Sequence, residues 1–227
     1  MSAESVIAVA EGELGTTEWP PDSNSVKYNT EYYGRPVSGS EYKWCVNGLW
    51  WVYQHADEKS AFFGGGKTAS CGTLLRWYRE MGQTVAVSQV GRADIVILNF
   101  SGTLDTEHCG LVTEVERKNG SILYIRTIEF NTTPGLEGSQ DNGGSVASKV
   151  RYPRQVVGVC RPRYKEEPMA KDDLTGHWAE DACRRAEEKG VMRGYPDGSW
   201  CPDKPMTRAE LATVLDRLGL LDKEGTK

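Results

Sequence analysis

One cysteine in this sequence stands where a thiol can become a nucleophile. Within residues 42–53, Val46, Leu49, Trp50 and Tyr53 recur at i, i+3, i+4 and i+7, the spacing of one buried helix face. Cys45 stands at or near the first turn of that helix. There the positive end of the helix dipole and unpaired backbone N–H groups favour thiolate over thiol, and the thiolate is the reactive form. The same residue also reads as a small buried hydrophobe on a Trp-rich helix.

A thiolate nucleophile needs a base, and the chain offers three histidines, His55, His108 and His177. His55 lies ten residues along the Cys45 helix, or about 15 Å away, beyond reach of the sulfur. His108 opens an apolar strand. Asn119-Gly120 is a two-residue hairpin signal that folds the returning strand, residues 121–131, back beside it. Glu129 and Asn131 then lie near His108. Spaced i, i+2, they are expected on one face, where a carboxylate and an amide could orient an imidazole and stabilise its cation. Glu129 also reads as a solvated strand residue, and Asn131 as a turn former before Thr132-Thr133-Pro134.

The elements that must position these groups follow an α+β order. Residues 5–14 are loosely helical. Residues 16–33 read as a long aromatic loop, followed by the Cys45 helix and a helix over 74–81 opened by Ser70 or Thr73. Residues 62–68 invite a phosphate-loop reading, but Ala61 stands where that pattern needs glycine. From Ala93 the period changes. Residues 94–100, 108–115, 121–131, 145–152 and 156–160 read as strands of one sheet, and 134–144 as a Gly-rich loop.

Composition limits the function classes. With 26% charged and 38% hydrophobic residues the chain is globular. A net charge of -5 argues against a general nucleic-acid binder, and no apolar run suits a membrane span. Residues 1–14 lack a basic region, so no signal peptide is expected; synthesis in the cytoplasm is. The six cysteines include no C-x-x-C pair, and most are expected to be reduced.

Residues 6–164 resemble the CHAP family of papain-like cysteine, histidine-dependent amidohydrolases and peptidases. The resemblance rests on Lys27-Tyr28-Asn29-Thr30-Glu31-Tyr32-Tyr33-Gly34, Trp44-Cys45 with Trp50-Trp51-Val52, Thr68-Ala69-Ser70-Cys71, Ala93-Asp94-Ile95-Val96, His108-Cys109-Gly110-Leu111-Val112 and Thr127-Ile128-Glu129-Phe130-Asn131-Thr132. It implies a papain-like fold and cleavage of an amide bond in peptidoglycan. Cys45 would be the nucleophile and His108 the general base and acid, with Glu129 orienting His108 and Asn131 assisting. The chain departs from the family at Cys109, where an apolar residue is common, and at Asn47-Gly48. Some relatives bind calcium through an acidic loop before the cysteine. Only Glu31 and Glu41 stand there, so no metal and no cofactor are expected.

Residues 164–171 read as a linker. Beyond it, Gly176-His177-Trp178-Ala179, Gly190-Val191-Met192, Gly194-Tyr195-Pro196-Asp197-Gly198 and Thr207-Arg208-Ala209-Glu210 resemble one S-layer homology motif. The resemblance implies docking onto secondary polymers of the cell wall. Arg208 would meet acidic groups, Trp178 and Tyr195 would serve as sugar platforms, and Glu210 would complete the site; self-association through the motif would supply further copies. The expected organisation is therefore a catalytic α+β domain over 1–163, the linker, and a small all-α wall-binding domain over 172–227. The expected function is an endolysin-type peptidoglycan amidase or endopeptidase, released through a membrane pore to act at the wall. The alternative is a non-catalytic wall-binding or assembly protein.

Overall fold

The computed structural model describes residues 3–135, 142–164, 173–195 and 199–221. The chain divides into two units, residues 1–165 and 166–227.

The first unit carries its helices before most of its strands, as the sequence pattern implies. The α-helices are α1 (Ala3–Gly12), α2 (Lys27–Tyr33), α3 (Cys45–His55) and α4 (Cys71–Glu80). The strands are β1 (Thr84–Val85), β2 (Ile95–Leu98), β3 (His108–Lys118), β4 (Ser121–Thr132), β5 (Ser145–Arg151) and β6 (Val156–Cys160). They form one antiparallel sheet in the order β1-β6-β2-β3-β4-β5. Val6, Leu49, Val52 and Tyr53 of the helices share one core with Ile95, Ile97, Cys109 and Leu111 of the sheet. Val96, Leu98, Val112, Ile125 and Val159 form a second core. β2 is buried along its whole length, which explains its unbroken apolar sequence. The β3–β4 turn has Asn119 at φ 52° and Gly120 at φ 79°, the two positive φ values that an Asn-Gly hairpin signals.

Two sequence expectations change. Residues 27–33 are a helix within the stretch read as loop; at 7 residues it is too short to show a period. Aromatic packing holds it, with Tyr28 stacked at 5.3 Å on Trp44 and edge-on at 5.1 Å to Phe130. α4 begins at Cys71, not Leu74, because Ser70 Oγ accepts from the Thr73 N–H and sets the cap there. Beyond β5 the chain crosses back, and β6 pairs with β2, Ile95 facing Cys160.

Gly48 has a packing reason. A Cβ there would lie 2.2 Å from Cδ1 of Phe130, so α3 approaches β4 as closely as it does only without a side chain.

In the second unit the described helices are α5 (Glu180–Glu188) and α6 (Arg208–Arg217). Thr207 and Glu210 close a reciprocal capping box at the start of α6. Asp173 organises the intervening chain, accepting from the N–H groups of Trp200 and Cys201 at 2.8 and 2.6 Å. Among the unit's described residues only Leu174 and Ser199 are buried, so its core is small. The expected linker beyond Tyr164, and Pro196-Asp197-Gly198 of the motif, lie outside the described residues. No described helix is long and apolar enough to cross a membrane.

Replacing Gly48 by Ala raises intrinsic helix propensity yet forces Phe130 aside. The expected result is a stability loss of about 1–3 kcal/mol, read as a lower urea midpoint of the first unit's transition. A raised midpoint would contradict the packing account.

Candidate active site

Cys45 is the first residue of α3, with Trp44 as its N-cap. A buried polar network fixes that helix start. Glu18 accepts from Trp44 Nε1 and from the Asn24 backbone N–H, both at 3.1 Å. Asn29 donates to the carbonyls of Asn24 and Tyr42 at 2.9 and 2.7 Å and accepts from Asn47 Nδ2 at 2.7 Å. Asn47 and Gly48, both departures from the family pattern, thus have positive roles: one ties α3 to α2 and the other lets α3 meet β4.

His108 opens β3 and is buried. Its Nε2 lies 3.1 Å from Oε2 of Glu129, close enough to pair charge but off the line of a straight N–H bond. Cys45 lies near enough on the other side to raise the imidazole's pKa. Glu129 is fully buried and held from three sides. Arg151 grips it with Nε to Oε1 at 2.7 Å and Nη2 to Oε2 at 2.6 Å, and Thr127 Oγ1 donates to Oε1 at 2.6 Å. Gly110 makes the room, since a Cβ there would lie 2.8 Å from Glu129 Cγ. Phe100 lies against both cations, 4.9 Å from the Arg151 guanidinium and 6.4 Å from the His108 ring.

The charges follow from these contacts. Burial pushes the Glu129 carboxyl up, but the Arg151 bonds and the nearby His108 outweigh it and hold it at about 2. Burial pulls His108 down, but Cys45 and the Glu129 carboxylate beside it raise it to about 9. Cys45 is held well below the ordinary thiol range, by hydrogen bonds from Cys109 and Cys71 first and by His108 against burial. These shifts favour a Cys45 thiolate beside a protonated His108, with Glu129 ionised behind it, the charge pattern that an activated thiol nucleophile needs.

Cys45, His108 and Glu129 are thus brought together as expected. Asn131 is not. β4 bulges so that Phe130 and Asn131 together face Val146, between the pairs Glu129–Ala147 and Thr132–Ser145. Asn131 takes φ 56°, which breaks the alternation that would put it on Glu129's face. Its amide instead bonds Asn24 Oδ1, Asn142 Oδ1 and the Gly144 N–H. Asn131 braces residues 142–144, and of the two only Glu129 lies beside the imidazole. Sequence reasoning also missed Arg151, Thr127 and Phe100. Arg151 had one local signal, a strand bearing Lys149 and Arg151 at i, i+2, both buried.

In the second unit Trp178 is 89% exposed. Arg208 is exposed on the first turn of α6. Tyr195 is partly exposed, with Lys204 Nζ 4.6 Å from its ring. The Glu210 carboxylate is occupied by the capping box, accepting from the Thr207 N–H and hydroxyl at 2.7 and 2.8 Å. Tyr195 and Glu210, with Trp200 and Met192, line a cavity of 470 Å³; Trp178 and Arg208 do not.

Residues 172–212 match the S-layer homology domain family. The chain is similar to a cellulosome-anchoring protein of Acetivibrio thermocellus, 44% identical over 57 residues, which cover 23% of this chain and 13% of that protein. It is similar to the outer membrane protein SlpA of Deinococcus radiodurans, 43% identical over 51 residues, 22% of this chain and 4% of that protein. An S-layer protein of Bacillus licheniformis is 33% identical over 63 residues, 28% of this chain and 7% of that protein. The chain thus spans only a small part of the length of these relatives. No solved structure matches it. The family match places an S-layer homology domain in the second unit and supports association with a cell wall or surface; it covers none of residues 6–164.

Ring-proton NMR reads the charge assignment directly. His108 should keep its proton until about pH 9 and, in Glu129→Gln, release it at lower pH, because the carboxylate that favours the cation is gone. In step, alkylation of Cys45 by iodoacetamide should already be fast at about pH 6 in the native chain and move to higher pH in His108→Ala, where Cys109 and Cys71 still lower the thiol. A His108 that titrates in the ordinary imidazole range in the native chain would refute the ion pair.

Proposed function

We propose that this chain is a cell-surface thiol amidohydrolase that cuts an amide bond of peptidoglycan and is held at the wall by its S-layer homology domain. The observation that carries the catalytic half is the buried Cys45–His108–Glu129 arrangement, with the sulfur at a helix N-terminus. The resemblance of residues 6–164 to the CHAP family supplies the substrate class. The anchoring half rests on the family match over 172–212.

In this reading the Cys45 thiolate attacks the amide carbonyl carbon. The backbone N–H of Cys45, free of an intrahelical acceptor at the first turn, stabilises the oxyanion. His108 gives its proton to the leaving amine, and the C–N bond breaks to leave a thioester. His108, now neutral, takes a proton from water, which attacks the thioester and frees Cys45. Glu129 stays ionised throughout, since Arg151 neutralises its charge. The bond cut is the muramoyl–L-alanine amide or a peptide bond of the stem or cross-bridge. The choice falls to residues 16–33 and to the start of the stretch after β4; Thr17, Pro134 and Gly135, with Gly15, line a second cavity.

A second reading keeps the anchoring and drops the chemistry: a non-catalytic wall-binding or assembly protein. The relatives favour it, since their names describe an anchoring protein and an S-layer protein and not hydrolases. The geometry favours hydrolysis. Cys109, Asn47 and Gly48, which suggested decay in the sequence, each have a partner or a fit in the structure.

Purified cell walls separate the two. The native chain should lower their turbidity and Cys45→Ala should not, while both pellet with the walls. Arg208→Ala should weaken pelleting by about 1.5–3 kcal/mol, the worth of a charge-assisted bond, without altering Cys45 alkylation. Walls that bind the native chain and stay intact would establish the non-catalytic reading.

A further inference from the structure

The sulfurs of Cys45, Cys71 and Cys109 come from three different elements, α3, α4 and β3. Cys45 Sγ lies 3.9 Å from Cys71 Sγ, and all three sulfurs fall within 4.8 Å of one another. None is in a disulfide. Amide hydrolysis needs one sulfur as nucleophile, and here three converge. From the placement of these sulfurs we propose that the trio is a thiolate site for one soft divalent ion, zinc, with the candidate nucleophile as one of its ligands.

The dimensions fit. Tetrahedral zinc takes sulfur at about 2.3 Å, which sets neighbouring sulfurs about 3.8 Å apart. The Cys45–Cys71 pair is already there, and no pair has to close by more than about 1 Å. The electrostatics fit as well. Cys45 is the first residue of α3 and Cys71 the first residue of α4, helices of 11 and 10 residues. Two helix N-termini therefore point positive ends at one cluster, which favours anionic sulfur. Thiolate sulfur suits zinc better than calcium or magnesium, which take oxygen.

On binding, three S–Zn bonds form, the remaining S–H bonds break and their protons pass to water; no electron moves. The fourth position is left to a neighbouring side chain or to water. With zinc bound, the Cys45 sulfur gives charge to the metal and is a weaker nucleophile toward a carbonyl carbon, so the metal holds the thiol silent until it is removed. That consequence rests on the hydrolase reading; the binding site does not.

The test uses zinc alone and the reduced full chain carrying Cys183→Ser and Cys201→Ser, which removes the two thiols of the second unit. Equilibrium dialysis should give one zinc per chain, and X-ray absorption three sulfurs at about 2.3 Å. Cys71→Ser and Cys109→Ser should each weaken binding by about 100-fold or more, whereas Cys160→Ser should not. One sulfur in the spectrum, or undiminished affinity in folded Cys71→Ser and Cys109→Ser, would overturn the proposal. The spectrum is read with the trio intact, so a variant that fails to fold does not decide the matter. A chain that clears walls but holds no zinc defeats this inference alone; one that holds zinc and clears no wall defeats hydrolysis alone.

Discussion

The buried grip of Arg151 on Glu129 is the interaction on which the site depends. An ionised carboxylate with no exposure costs several kcal/mol unless it is paired and fully bonded. Here two guanidinium bonds and a threonine hydroxyl satisfy it. Because Arg151 carries the compensating charge, Glu129 can face His108 without surrendering its own ionisation. Cys45 in front of His108 and the Glu129 carboxylate behind it together raise the imidazole's pKa in spite of burial, and His108 adds to Cys109 and Cys71 in lowering the Cys45 thiol. The charged groups stand in order on β5, β4, β3 and α3. The antiparallel sheet supplies that order, because it sets Glu129 between the strand of Arg151 and the strand of His108.

The backbone makes room for this chain of charge in two places. Gly110 has no side chain because Glu129 occupies the space, and Gly48 has none because Phe130 does. Glu129 and Phe130 are adjacent on β4, so two neighbouring residues each demand a glycine on a different partner element. This couples the position of the carboxylate to the closeness of α3, and hence to the placement of the sulfur. Glu18 and Asn29 complete the fix from the other side, bonding Trp44 and the residues that flank α2.

Much of this was legible in the sequence. The Cys45 helix showed in its apolar period, β2 in its unbroken run, and the β3–β4 pairing in Asn119-Gly120. Those three fix the approach of Cys45, His108 and Glu129. Arg151 was not legible, because a cation at the end of a short strand normally reads as a solvated edge, and only the three-dimensional pairing with β4 reveals its burial. Asn131 was misplaced because strand alternation assumes a regular ladder. Asparagine tolerates positive φ better than other non-glycine residues, and here it uses that tolerance at a bulge. α2 escaped because seven residues held by aromatic contacts show no period. Gly48 and Cys109 looked like decay because a sequence shows what a residue lacks, not what its neighbour needs.

The two units differ in what they ask of a partner. The first buries two cores around one sheet and satisfies its own charges. The second has few buried residues among those described, and leaves Leu211, Leu218, Leu220 and Met206 about half exposed. A helix pair with so little interior gains most of its stability from something laid against it, which is the physical condition of an anchoring module. The first unit completes its own polar cluster, whereas the described residues of the second leave apolar surface uncovered.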